Sequence, residues 1–172
     1  QVITINFTAT ATESNLGTSI SDSNGATTTD TWTVQVPAAL AITSVTTTPT
    51  TVSQGQSSIT VTLALTNSGG TGITLTSPIA SSKLATTVLT FKETVAGTDR
   101  TGQYTVTCNS TCDDITIPAG TTQNYTFSVT VAGTATTGSI TLNTTAVSGT
   151  DDNSSTTITD SDFAATTDSW AV

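Results

Sequence analysis

Residues 59–65 read Ile59-Thr60-Val61-Thr62-Leu63-Ala64-Leu65, large and apolar at every odd position, small or polar at every even one. Successive side chains of a strand point to opposite faces, so this alternation predicts a β-strand with one face in a core. The same period of two runs through Tyr125, Phe127, Val129 and Val131, which follow the turn signal Pro118-Ala119-Gly120. Working outward from these two stretches, further strands are predicted at roughly 2–12, 29–36, 40–48, 72–78, 86–93, 102–108, 113–117, 138–147 and 163–172. Gly55, Asn67-Ser68-Gly69-Gly70, Gly97-Thr98-Asp99, Ala132-Gly133 and Gly149 through Asn153 punctuate them. No segment carries a helical period. Many short strands with such punctuation predict an all-β chain, an antiparallel sandwich. The expected core adds Ile42, Val45, Val88, Leu89, Phe91, Tyr104, Ile117, Ile140, Leu142 and Trp170 to the inward residues of the two deciding stretches.

Composition agrees with an exterior location. Ser and Thr make up about two-fifths of the 172 residues, while charged residues are only 9%. Thr is β-branched, fits a pleated surface and still offers water a hydroxyl. Only Lys83, Lys92 and Arg100 are basic, against 12 acidic residues, for a net charge of −9. Without a basic patch, binding to nucleic acid or to an anionic membrane is not expected. No apolar run approaches 18 residues, so direct insertion into a membrane as a helix is not expected either. Cys108 and Cys112, the only cysteines, bracket Asn109-Ser110-Thr111 and predict a disulfide across a tight loop, as in exported chains.

The strongest long-range signal is an internal repeat. Residues 20–34 read ISDSNGATTTDTWTV and residues 158–172 read ITDSDFAATTDSWAV, nine of fifteen positions identical at an offset of 138. Upstream, Ile3-Thr4-Ile5-Asn6-Phe7-Thr8-Ala9 parallels Ile140-Thr141-Leu142-Asn143-Thr144-Thr145-Ala146 at an offset of 137, with one residue gained in the loop between. Residues 1–36 therefore read as a β-hairpin matching the last hairpin, 138–172, and residues 37–172 as one whole repeat. A lone two-stranded hairpin is marginal in water. Its apolar side chains Ile3, Ile5, Phe7, Trp32 and Val34 need a partner, just as Trp170 does in the second copy. That partner is expected to be an adjacent repeat in a linear polymer, another copy of the chain receiving donated strands, or the rest of this chain.

Several stretches resemble the CARDB-like, immunoglobulin-like repeats of bacterial and archaeal cell surfaces. They are Pro37-Ala38-Ala39-Leu40, Val52-Ser53-Gln54-Gly55, the strand 59–66 ending in Asn67-Ser68-Gly69-Gly70, Pro118-Ala119-Gly120 before a Phe/Val strand, and Ser148-Gly149-Thr150-Asp151. The resemblance implies an immunoglobulin-like sandwich of seven strands used as a spacer or adhesive module, and it carries over no catalytic residue. The extra hairpin and greater length depart from that pattern. Archaeal thread-like and pilus-like subunits that assemble by donated strands are a second, looser likeness.

Catalytic chemistry finds little to work with. There is no His, hence no imidazole base, no Ser-His-Asp triad and no His-ligated metal. No paired carboxylates suit glycosidic chemistry, since Glu13 and Glu93 lie far apart and the adjacent Asp113 and Asp114 would face opposite ways on a strand. The chain is expected not to be an enzyme and to need no cofactor. Structural calcium would find oxygens at Asp151, Asp152, Asp160 and Asp162, although Asp, Asn and Ser in such loops more simply make turns. Trp32 and Trp170, at equivalent places, suggest repeated packing with a hydrogen-bonded indole N–H. Asp30 and Asp168, two residues earlier, are placed to pin a strand or a neighbouring loop. The sequons at Asn6, Asn109, Asn124, Asn143 and Asn153 are candidates for glycosylation. The expected role is structural, in an extracellular filament, stalk or surface layer; an adhesin that binds glycans or host surfaces through its loops is the runner-up.

Overall fold

The computed structural model describes residues 2–5, 8–22, 30–161 and 168–172. The chain divides into two compact units, Gln1–Val36 and Pro37–Val172.

The first unit contains β1 (Val2–Ile5), β2 (Ala9–Thr12), β3 (Ser19–Asp22) and β4 (Asp30–Thr33). β1 pairs antiparallel with β4, and β2 with β3. The strand expected at 29–36 is thus β4, β3 lies where no strand is predicted, and the strand expected at 2–12 is divided between β1 and β2. The cause is arithmetic: three residues separate the ladders on one limb (6–8) and seven on the other (23–29), so one continuous ladder cannot form.

The second unit contains β5 (Leu40–Thr48), β6 (Ile59–Asn67), β7 (Ile73–Ser77), β8 (Ile79–Ala80), β9 (Lys83–Leu84), β10 (Leu89–Glu93), β11 (Tyr104–Cys108), β12 (Thr116–Ile117), β13 (Thr121–Val131), β14 (Ser139–Thr144), β15 (Val147–Asp151), β16 (Thr157–Asp160) and β17 (Asp168–Ala171). One sheet has the order β11-β13-β6-β5, a second β12-β7-β15-β16 and a third β10-β14-β17, every pairing antiparallel. β8 and β9 form a separate short ribbon. The last hairpin passes between sheets: its base, β14 and β17, belongs to the third sheet and its tip, β15 and β16, to the second. The inward residues of all three sheets form one core cluster, so this unit is an all-β sandwich.

Every residue of the expected core is buried, the odd positions of 59–65 and of 125–131 included, and Ala64, at an even position, is buried as well. β5 breaks its alternation at a bulge between Ile42 and Ser44, which lets Ile42 and Val45 both point inward while Thr43 turns its hydroxyl to the Ala64 carbonyl. The strands predicted at 86–93, 102–108 and 113–117 are shorter than expected, because Thr86–Val88, Thr101–Gln103 and Ser110–Asp113 are 3₁₀ turns. Asp113 therefore sits in a turn, where its carboxylate pairs with the Lys83 ammonium at 2.6 Å.

Candidate functional site

The two hairpins share one design, register for register. Ile3 lies opposite Trp32, as Ile140 lies opposite Trp170. Ala9–Thr12 pairs with Ser19–Asp22, as Val147–Thr150 pairs with Thr157–Asp160, every partner 138 residues on. The tip turns match as well: Glu13 N–H bonds the Thr18 carbonyl and Gly17 N–H the Glu13 carbonyl, as Asp151 N–H bonds Thr156 and Ser155 N–H bonds Asp151. Gly17 and Ser155 both hold positive φ, +69° and +57°, as the turn demands of that position. The extra residue of the second copy lies among 143–146, which replace 6–8, and not in the loop where the sequence comparison placed it.

In the second unit, three acids of this hairpin hold the chain leading into and along β5. Asp151 Oδ2 accepts from Ala38 N–H at 2.8 Å and from the Thr71 hydroxyl at 2.5 Å, and Oδ1 accepts from Asn153 and Ser154 N–H at 2.9 and 2.8 Å. These donors, the Ala38 N–H foremost, hold its carboxyl well below the usual carboxylate range. Asp160 Oδ2 accepts from Ile42 N–H at 2.6 Å. Asp168 Oδ2 accepts from Thr47 N–H and from its hydroxyl. β5 is an edge strand, and such outward N–H groups are a template for pairing with other chains. Here the acids of β16 and β17 take them.

Trp170 is buried, its ring centroid 5.7 Å from Phe91 and 5.8 Å from Tyr104. The expected hydrogen bond of its indole is not made: neither Trp170 Nε1 nor the Tyr104 hydroxyl has a partner of ordinary geometry. The two groups lie close enough for the indole to offset part of the rise that burial imposes on the Tyr104 pKa.

In the first unit the equivalent positions are Glu13 for Asp151, Asp22 for Asp160, Asp30 for Asp168 and Trp32 for Trp170. Asp30 Oδ1 accepts from Thr31 N–H at 2.8 Å, the bond that orients Asp168 through Ser169 N–H, also at 2.8 Å. Trp32 is 60% exposed where Trp170 is 2%. Ile3 and Val34 are exposed and Ile5 is half-buried; Phe7 lies outside the described residues.

The remaining predicted sites are scattered. Of the calcium candidates, Asp151 spends both oxygens on donors, Asp152 accepts from the Thr74 hydroxyl, Asp160 holds β5, and Asp162 lies outside the described residues. Among the described residues no group of three acids, His or Cys is placed to hold a metal. Cys108 and Cys112 are joined in a disulfide, Cα atoms 6.1 Å apart, with Cys112 buried. Asn109, Asn124 and Asn153 are exposed, Asn143 is half-buried, and Asn6 lies outside the described residues. Asn143 lines an open groove of about 530 Å³ together with Thr90, Lys92 and Asp99.

One buried polar residue escaped the sequence reading. Asn67, expected only in a turn, has no exposure; its amide donates to the carbonyls of Thr71, Ile117 and Pro118, and its Oδ1 accepts from Ala39 and Gly69 N–H. The signal available was Asn-Ser-Gly-Gly at the end of an apolar strand, which reads equally well as a plain exposed turn.

Fold and hairpin together define an antiparallel β-sandwich preceded by a second copy of its own last hairpin. No helix among the described residues is long and apolar enough to cross a membrane. No family model, curated protein or solved structure matches the chain.

Proposed function

We propose that the chain is a structural element of an extracellular filament, stalk or surface layer, an immunoglobulin-like repeat of the CARDB kind that assembles linearly through strand complementation or packing of successive repeats. The observation that carries this reading is the duplicated hairpin: one copy completes a sandwich, and the other, paired in the same register, leaves Ile3, Trp32 and Val34 exposed. A Thr-rich surface, a net charge of −9 and a disulfide suit an exterior location and no nucleic-acid partner. The chain has no His to serve as an imidazole base, and structural calcium is not needed for this role.

The groove beside Asn143 favours a second reading, an adhesin module, because Lys92, Asp99 and threonine hydroxyls could meet a glycan there. Electron microscopy of chains carrying one, two and three joined copies of residues 37–172 separates the two. A structural repeat gives rods that lengthen by a constant step per copy. Compact particles that retain glycans on an array would sink the structural reading.

A further inference from the structure

We propose that the exposed face of the first unit docks one kind of partner: a sandwich body of the Pro37–Gly138 kind that lacks its own last hairpin. The proposal rests on the linear structural reading and names the partner it needs.

The argument is an intramolecular precedent. In the second unit the body holds its last hairpin by three means. β14 and β15 add to β10 and β7. Asp151, Asp160 and Asp168 take the N–H groups of Ala38, Ile42 and Thr47. Trp170 stacks on Phe91 and lies beside Tyr104. The first unit keeps a counterpart of each. β1 and β2 have one strand neighbour apiece among the described residues. Glu13, Asp22 and Asp30 supply carboxylates at the three matching positions, and Asp30 is already oriented by Thr31 as Asp168 is by Ser169. Trp32 supplies the indole. An acidic cluster alone would say nothing; these acids stand where their equivalents already bind this body.

Counting within residues 1–172 points to the partner: they hold two hairpins and one body. A second intact copy already has its hairpin in place, so exchanging one hairpin for its near twin gains no contact and still leaves one hairpin uncovered. A body without a hairpin has an open core, exposed N–H groups on its β5 and unpaired edges on its β7 and β10. Docking covers all of these together.

Tryptophan quenching tests this directly, because the chain has two Trp and residues 37–138 have none. An extended chain would carry residues 37–138 fused ahead of Val2. A control would carry residues 37–172 in that place, so that its added body already has a hairpin. In the chain itself, acrylamide should reach one indole of two, the exposed Trp32 and not the buried Trp170. In the extended chain it should reach neither, and the double variant Asp22→Ala/Asp30→Ala should restore access to one. In the control one indole of three should stay accessible, with the added body folded by circular dichroism. A folded control beside an extended chain whose Trp32 remains quenchable, or whose added body stays unfolded, overturns the proposal. So does shielding of Trp32 in the unextended chain accompanied by a doubled mass in sedimentation, because the partner would then be an intact copy. Rods in the microscopy experiment with Trp32 still quenchable would reject this docking face and leave the linear reading standing.

Discussion

Asp168 Oδ2 accepts two hydrogen bonds from a single residue, from the Thr47 N–H at 2.8 Å and from the Thr47 hydroxyl at 2.9 Å. One carboxylate oxygen from β17 thereby stands in for a strand at the edge of β5. Hydrogen bonds to charged groups are worth about 1.5–3 kcal/mol net. Asp168→Ala should cost the second unit about 2 kcal/mol in a denaturant titration, and Asp168→Asn less, because an amide oxygen still accepts. Asp30→Ala, at the matching place in the first unit, should leave that transition where it was. An equal loss from both alanine variants would contradict the clamp.

Trp170 and Trp32 make the sharpest pair for mutation. Removing a buried indole leaves a cavity beside Phe91, and Trp→Ala changes in cores cost about 3–5 kcal/mol. Trp170→Ala should lower the stability of the second unit by that order. Trp32→Ala, on an exposed side chain, should change the stability of the isolated chain by less than about 0.5 kcal/mol. Calorimetry on the two variants gives the comparison.

The contrast between these tryptophans also marks what a sequence can reveal. Alternation at Ile59–Leu65 and Tyr125–Val131 is a backbone property, since period two follows from the pleat whatever the neighbours are; the buried faces were legible for that reason. The repeat was legible because Asp-x-Trp-x-Val survives in both copies. The acid clamps were legible only in part. The spacing of Asp30 and Asp168 from the tryptophans points to a pinning role. Asp151 and Asp160 read instead as turn formers or calcium ligands, since a carboxylate in a loop looks the same whether it faces water, an ion or a distant backbone N–H. Ala38 is 113 residues from Asp151 in sequence, and only the fold brings the two together. The bulge at Thr43 was hidden because one extra residue in an alternating run leaves no compositional trace.

Asp151 sets a pH dependence. Its folded pKa lies below the ordinary value of 3.8 because the folded state donates hydrogen bonds to its ionised form, Ala38 N–H first. A depressed folded pKa means that the unfolded chain binds the proton more readily. The stability it contributes is therefore complete above the unfolded value and is lost as pH falls through 3.8 toward the lower folded value. Thermal midpoints measured from pH 7 down to pH 2 should hold near neutrality and then fall steeply in the acid range. Asp151→Asn should begin lower and show a shallower acid limb. Identical acid limbs for the two proteins would remove Asp151 as the source.

Calcium gives the last test, and the answer turns on the same carboxylate. An ionised carboxylate offers about four lone-pair sites. Asp151 meets four donors: the N–H groups of Ala38, Asn153 and Ser154, and the Thr71 hydroxyl. A calcium ion at this loop would have to displace them, and Ala38 N–H, in the segment leading into β5, would be left without its acceptor. Calcium also wants six to eight oxygens, while Asp152 and Asp160 are engaged with Thr74 and Ile42. The unfolding midpoint of the second unit should therefore be the same in excess calcium and in excess chelator. A midpoint that rises with calcium concentration would mean that binding repays the broken Ala38 and Thr71 bonds, and Asp151→Asn should then abolish the rise if this loop is the site.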